Sequence, residues 1–284
     1  MQAIKTVSII YSTSREIKKT LNDANEIISD LKIKVIESFS IEKLEKLRNK
    51  KALSKSDLIL VIGGDGTMIG SIRNLYDLEI PFLGINLGRV GFLTDINPRK
   101  MSYLSEILKG RYTKEKRPIY LASFSEKNED IFVNETVIHS GSITNMVDIE
   151  LLANKQQIYS LRADGLIISS STGSTAYSYS GGGPIVSPDV SAFSLLPMFS
   201  HSSSSHSLVL SDKKKLKIKI EKARYSDIDI VLDGKNKLKY QKDGLEISHT
   251  QKSFYLYHPK DYNYFDACRT KLGWSLPIEK FNSD

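Results

Sequence analysis

The chain has 284 residues, 40% hydrophobic and 26% charged, enough apolar content for two ordinary domains or one large one and too much for a disordered chain. A formal net charge of +7 admits a nucleic acid, an anionic membrane or a phosphorylated small molecule as partner, while the single Cys268 excludes an intramolecular disulfide and suits a reducing compartment. No apolar run approaches bilayer length and the N-terminus enters a strand pattern with no signal-peptide core, so a cytoplasmic protein is expected.

Ile4 to Tyr11 reads as a first strand, and Thr13-Ser-Arg-Glu16 as a capping box for a helix with apolar positions Ile17, Leu21, Ala24, Ile28 and Leu31. Ile33 to Ile36 is a second strand, and a second amphipathic helix carries Ile41, Leu44 and Leu47. Leu58 to Ile62 is a short apolar run that suits a strand buried on both faces, giving the order β-α-β-α-β of a parallel, doubly wound sheet. Ile80 to Ile85 is the next strand. Asn97 before Pro98 marks a helix start, with the helix running to about Leu108.

After Lys116-Arg-Pro118 the pattern changes to short alternating strands at Ile119 to Phe124, Ile131 to His139, Val147 to Leu152, Gln157 to Leu161 and Leu166 to Ser170. Further strands are expected at 214 to 220, 228 to 232 and 253 to 257. In the lysine-rich run Lys213 to Lys222, lysine alternates with apolar residues from Leu216 on, as on the solvated face of a half-buried strand, so neither a nucleic acid nor a membrane partner is expected. Ser200 to Ser207 is a low-complexity loop, and the spacing of His201 and His206 is no zinc pattern. The expected fold class is α/β, an N-terminal doubly wound domain over 1–100 and a β-rich, sandwich-like domain over 101–257. The aromatic tail over 258–284, with Tyr262, Tyr264, Phe265 and Trp274, is expected to pack back on the first domain.

The stretch with the most chemical content is Gly63-Gly-Asp-Gly-Thr67, which joins the buried strand to a helix with apolar positions 68, 69, 72 and 75. Glycines let the backbone turn and approach a ligand, and a helix N-terminus offers N–H donors to phosphate oxygens, so Gly63, Gly64, Gly66 and Thr67 are phosphate-binding candidates. Asp65 is the one charge there. A carboxylate beside a phosphate is unfavourable unless it binds a metal or takes a proton, which points to chemistry rather than to anion binding alone.

Gly63-Gly-Asp-Gly-Thr67 resembles the signature of the NAD kinase, diacylglycerol kinase and phosphofructokinase group. Gly84-Ile-Asn-Leu-Gly-Arg-Val-Gly-Phe-Leu-Thr-Asp95, Val133-Asn-Glu-Thr136, Asp164 to Ser169 and Thr172-Gly-Ser-Thr-Ala-Tyr-Ser-Tyr-Ser-Gly-Gly-Gly-Pro184 narrow the resemblance to the NAD kinase family, in that family's order. His258-Pro-Lys-Asp-Tyr262 and Thr270-Lys-Leu-Gly-Trp274 extend it into the tail. The resemblance implies transfer of the γ-phosphoryl group of ATP, with Mg2+, to the 2′-hydroxyl of the adenosine ribose of NAD. It makes Asp65 the base, with Gly66 lining the same site, and residues 101–257 the dinucleotide-binding domain.

Asn134 can donate and accept and Glu135 accepts only, a pair suited to a base amino group or ribose hydroxyls. Asp164, in Arg162-Ala-Asp-Gly165, reads alone as a hairpin-turn aspartate, whereas the resemblance implies contact with the nicotinamide portion of NAD, often from a neighbouring subunit of a homo-oligomer (dimer or tetramer). Thr175, Ala176, Tyr177, Ser178, Tyr179 and Ser180 form a hydroxyl-rich segment too polar for core and suited to a nucleoside pocket. The resemblance adds Arg162, Asn145 and Lys235 to the dinucleotide site. The chain departs from the family in Ser170-Ser171, where Thr-Pro is usual, and in His206-Ser207, where Arg-Pro is usual. Two other readings remain open here, a lipid kinase sharing the glycine loop and a non-catalytic nucleotide-binding module.

Overall fold

A computed structural model describes residues 2–14, 17–48, 50–87, 91–141, 146–202, 206–222 and 228–275. The chain divides into two compact units, Met1–Lys116 with Ser253–Asp284, and Arg117–Lys252. The sequence reading put the divisions at 100 and 257. The chain instead passes from one unit to the other inside one strand and returns inside another, where composition leaves no linker.

In the first unit the elements are β1 (Thr6–Tyr11), α1 (Ile17–Asp30), β2 (Lys34–Ser40), α2 (Ile41–Lys46), β3 (Leu58–Gly63), α3 (Asp65–Leu75), β4 (Phe82–Asn86) and α4 (Ser102–Leu108). The chain then enters β5 (Tyr112–Ser125) and the second unit: β6 (Asn128–Phe132), β7 (Glu135–Ser140), β8 (Val147–Ala153), β9 (Gln156–Ala163), β10 (Gly165–Ser170), α5 (Tyr177–Ser180), β11 (Ala192–Met198), β12 (Leu208–Ser211), β13 (Leu216–Lys222), β14 (Ile228–Leu232) and β15 (Asn236–Leu238). It returns through β16 (Leu245–Pro259) to α6 (Tyr264–Leu272).

The first unit is a parallel sheet in the order β2-β1-β3-β4, with the last part of β16 beside β4, where Leu256 faces Phe82. Every residue of β3 is buried, as a run without polar alternation requires when helices cover both faces. Ile17, Ala24 and Ile28 of α1 pack with Leu58, Leu60 and Ile62 of β3 and with Leu104 and Ile107 of α4. Asn97 does cap a helical turn, its side chain accepting from Arg99 N, but this is a three-residue 3-10 turn, Pro98–Lys100, and the α-helix begins only at Ser102.

The second unit is antiparallel. One sheet runs β9-β8-β13 and on to the first part of β16, with β5 and β6 paired as a hairpin; the other runs β12-β11-β10-β7-β14-β15. Their apolar faces share one core containing Tyr120, Phe132, Ile149, Leu166, Ile168, Phe193, Leu216 and Ile230. The single strand expected over Ile131 to His139 is two strands, broken at Val133 and Asn134. β11, β12 and β15 carry no strand expectation at all; the last two are only four and three residues long.

Candidate active site

β3 and α3 meet as expected, with one correction. Asp65 is the first residue of α3 rather than part of the preceding turn, and Gly64 is the N-cap with φ −95°. Among the glycines of this stretch none has a positive φ. Gly63 is needed for space, since a Cβ there would lie 2.6 Å from Thr67 Oγ1, whereas a Cβ on Gly64 or Gly66 would meet nothing within 4 Å. Neither packing nor backbone strain accounts for the last two, and both leave bare backbone beside the first, unpaired N–H groups of a helix.

The Asp65 carboxylate is held from the far side. Phe92 N–H donates to Oδ2 at 2.7 Å, while Leu93 N–H and Thr94 Oγ1 donate to Oδ1 at 3.1 and 3.2 Å. Burial raises its pKa above the ordinary value, opposed by the Phe92 and Leu93 amides, the Lys271 charge and the Thr94 hydroxyl. An oriented carboxylate readier than usual to take a proton is what a general base requires. The loop carrying these donors is tied to β4 through Asn86 N–H to Ile96 O (2.8 Å) and Ile96 N–H to Gly84 O (3.0 Å). Lys271 of α6 also lies over the Phe92 ring at 5.3 Å, and Tyr264 meets Phe92 at a ring distance of 6.2 Å. The tail therefore reaches the Asp65 loop.

In the second unit, Asn134 and Glu135 sit at the break between β6 and β7. Asp233, opening a left-handed Asp233-Gly234 turn between β14 and β15, accepts from the N–H groups of Val133, Asn134 and Glu135, the shortest being Asn134 N to Oδ1 at 2.7 Å. Asn134 Oδ1 and Glu135 Oε2 are buried without hydrogen-bond partners, the arrangement of a polar pair awaiting a ligand. The Asn134 carbonyl crowds Gly173, whose Cβ would overlap it, so the Thr172–Thr175 turn packs directly on this corner. Ser170 Oγ links the two, donating to Val133 O (2.6 Å) and accepting from Gly173 N–H (3.1 Å). Serine at 170 thus holds this loop with hydrogen bonds.

Burial first, and the Asp233 charge second, push the Glu135 carboxyl up to about 8, against the Tyr177 amide, so Glu135 is protonated near neutral pH and can donate as well as accept. A folded value above the unfolded 4.5 means that the stability Glu135 contributes is complete below 4.5 and is lost as pH rises through 8. Glu135→Gln, neutral at every pH, is expected to melt close to wild type at pH 5 and a few degrees above it near pH 8.5, checked by paired thermal melts.

The other candidate residues are scattered more widely. In the 175–180 segment Tyr177 and Ser180 are exposed and Thr175, Ala176 and Tyr179 half-buried, but Ser178 is fully buried against Gly183, so the segment is partly core despite its polarity. Asp164 is no hairpin turn: β9 and β10 belong to different sheets, and Asp164 stands where the chain crosses, its N–H on Met198 O and its carbonyl on Ser140 N–H. Arg162 is exposed, 3.9 Å from Asp148, and Lys235 is exposed in the Asp233 turn. Asn145 lies outside the described residues. Asp233 was not anticipated, and Phe92–Thr94 and Lys271, though inside the Gly84–Asp95 and Thr270–Trp274 stretches, were not named as site residues. For Asp233 the available signal was the Asp-Gly pair at 233–234, which announces a hairpin rather than an anchor.

An oriented carboxylate of raised pKa at a bare helix N-terminus, carried in one chain with a buried Asn-Glu corner, is what a phosphotransferase acting on a hydroxyl requires. Residues 7–112 match the ATP-NAD kinase N-terminal domain and residues 133–258 the ATP-NAD kinase C-terminal domain. The NAD kinase of Salmonella newport is 40% identical over 230 residues, covering 79% of this chain and 78% of that one. The chain belongs to the NAD kinase family. An NAD kinase from Archaeoglobus fulgidus in complex with ATP is similar in structure, with TM-score 0.77 and 25% identity over 93% of this chain and 99% of that one. A yeast NADH kinase complexed with NADH shares the fold, with TM-score 0.82 and 18% identity over 98% and 90%.

Proposed function

We propose that this chain transfers the γ-phosphoryl group of ATP to the 2′-hydroxyl of the adenosine ribose of NAD, as a cytoplasmic homo-oligomer. The observation that carries the reading is the Asp65 carboxylate, fixed by three donors at the N-terminus of α3. A ribose hydroxyl is a weak nucleophile. As its oxygen attacks the γ-phosphorus and the bond to the ADP oxygen breaks, its proton passes to Asp65, while the N–H groups at Gly64 and Gly66 offset charge on the phosphoryl oxygens. Asn134 and protonated Glu135 supply mixed donors and acceptors for the adenosine, with Tyr177 beside them.

Among the described residues no group of three or more His, Cys, Asp or Glu is arranged to hold a metal ion. A divalent cation such as Mg2+, bound with the triphosphate, would neutralise part of its charge. Incubation of pure protein with ATP, Mg2+ and NAD should yield the 2′-phosphorylated dinucleotide, resolved by chromatography or by coupling to an NADP-specific dehydrogenase. If ATP is consumed only with a lipid acceptor, or not at all, the reading fails.

A further inference from the structure

The residue after the Asp65 loop is Asp95, and it enters a cluster that the proposed chemistry does not use. His258, 2% exposed, lies between two carboxylates: Nδ1 on Asp95 Oδ2, and Nε2 on Glu115 Oε2 at 2.8 Å. Its ring stacks on Tyr262 at 4.1 Å with 13° between the planes. A neutral imidazole has one N–H and could serve only one of these carboxylates, so the geometry calls for the imidazolium, with both nitrogens donating. Asp95 is itself nearly buried, and its other oxygen has no hydrogen-bond partner, so His258 is the cation that makes its burial tolerable.

Phe92, Leu93 and Thr94 all bond to Asp65, and Asp95 follows them directly. We infer that His258 is a positioning residue for the catalytic base: by anchoring Asp95 it fixes the loop whose donors aim Asp65, and the charged clamp is needed for turnover. This inference rests on the phosphotransfer reading above. The groups facing the ring are Asp95 from the loop, Glu115 from β5 and Tyr262 beyond β16. Burial lowers the His258 pKa, but the bonds to and charges of Asp95 and Glu115 outweigh it and carry the group up to about 9. The clamp is thus charged at neutral pH and loses its charge as pH rises through about 9. The neutral ring keeps one N–H and can serve one carboxylate only, and Asp95 then lies nearly buried with no opposite charge beside it, which loosens the loop.

His258→Gln, Glu115→Gln and wild type should be compared by kcat and KM for NAD across pH 6 to 10, with thermal melts. Wild type should lose kcat on an alkaline limb near 9. His258→Gln should lower kcat by ~10- to 100-fold at pH 7.5, as a small misplacement of a reacting group does, with KM for NAD within about threefold. Glu115→Gln removes one raising charge and should move the alkaline limb down by at least ~1 pH unit. A residue that only stabilised the fold would not move that limb. Equal kcat in His258→Gln, or an unmoved limb in Glu115→Gln, overturns the inference, and the second variant decides it if the first does not fold. If wild type makes no NADP, the phosphotransfer reading falls instead. NMR titration of the His258 ring then still tests the charged clamp, which is overturned by loss of the proton near the ordinary value of ~6.5.

Discussion

Asp65→Asn is expected to fold, to bind NAD, and to lose about 10²- to 10⁴-fold in kcat, the range for removing a general base. Asparagine keeps one side-chain oxygen for the Phe92 amide or for Leu93 and Thr94, but its NH2 group must face the remaining donors, which costs about one hydrogen bond. Against that, the amide carries no charge to desolvate, and desolvation is the main cause of the raised Asp65 pKa. The two effects nearly cancel, so the melting temperature should shift by only a few degrees while catalysis collapses. Calorimetry with NAD and a coupled NADP assay separate binding from turnover. Near-normal turnover in this variant removes Asp65 from the chemistry and leaves its hydrogen bonds as an anchor for the Phe92–Thr94 loop.

The parallel half was legible because its signals are local. Five apolar residues at 58–62 and helical spacing at 68, 69, 72 and 75 each fit one element type, and β3 and α3 follow. The glycine turn was misread in detail, since sequence shows that glycines are present but not whether φ, packing or a ligand requires them. The break in Ile131 to His139 was hidden for a different reason. Apolar residues continue through Val133, Asn134 alone is a weak turn signal, and the N–H groups at the break are held by Asp233, 100 residues beyond Val133. The donors to Asp65 are mostly backbone N–H groups, which every residue carries, and Asp95, Glu115 and His258 stand too far apart to read as a motif. Helices and buried strands write their periodicity into sequence, whereas a site assembled from main chain and distant anchors does not.

Asp233→Ala is expected to do the most damage among residues that no motif marks. The carboxylate accepts from three consecutive N–H groups, at 3.0 Å from Val133, 2.7 Å from Asn134 and 3.3 Å from Glu135. Alanine leaves these donors without an acceptor where β6 gives way to β7, at ~1 to 3 kcal/mol for each group that water cannot reach. Alanine must also adopt the left-handed φ of 49°, which aspartate tolerates better. A total of about 3 kcal/mol would lower the melting temperature by roughly 6 to 12 °C in a protein of this size. Asp233→Asn keeps one accepting oxygen and the left-handed preference, so it should fall between alanine and wild type. The functional consequence follows from the same bonds: Asn134 and Glu135 lose their frame, and removing the Asp233 charge lowers the Glu135 pKa and favours its acceptor-only form. KM for NAD should rise tenfold or more in Asp233→Ala, as when a buried polar contact is lost, while Asp65, in the other compact unit, keeps its hydrogen bonds. A rise in KM with kcat within a few-fold supports this division of labour. A fall in kcat with KM unchanged would mean that the Asn134–Glu135 corner does not hold the dinucleotide in the ground state.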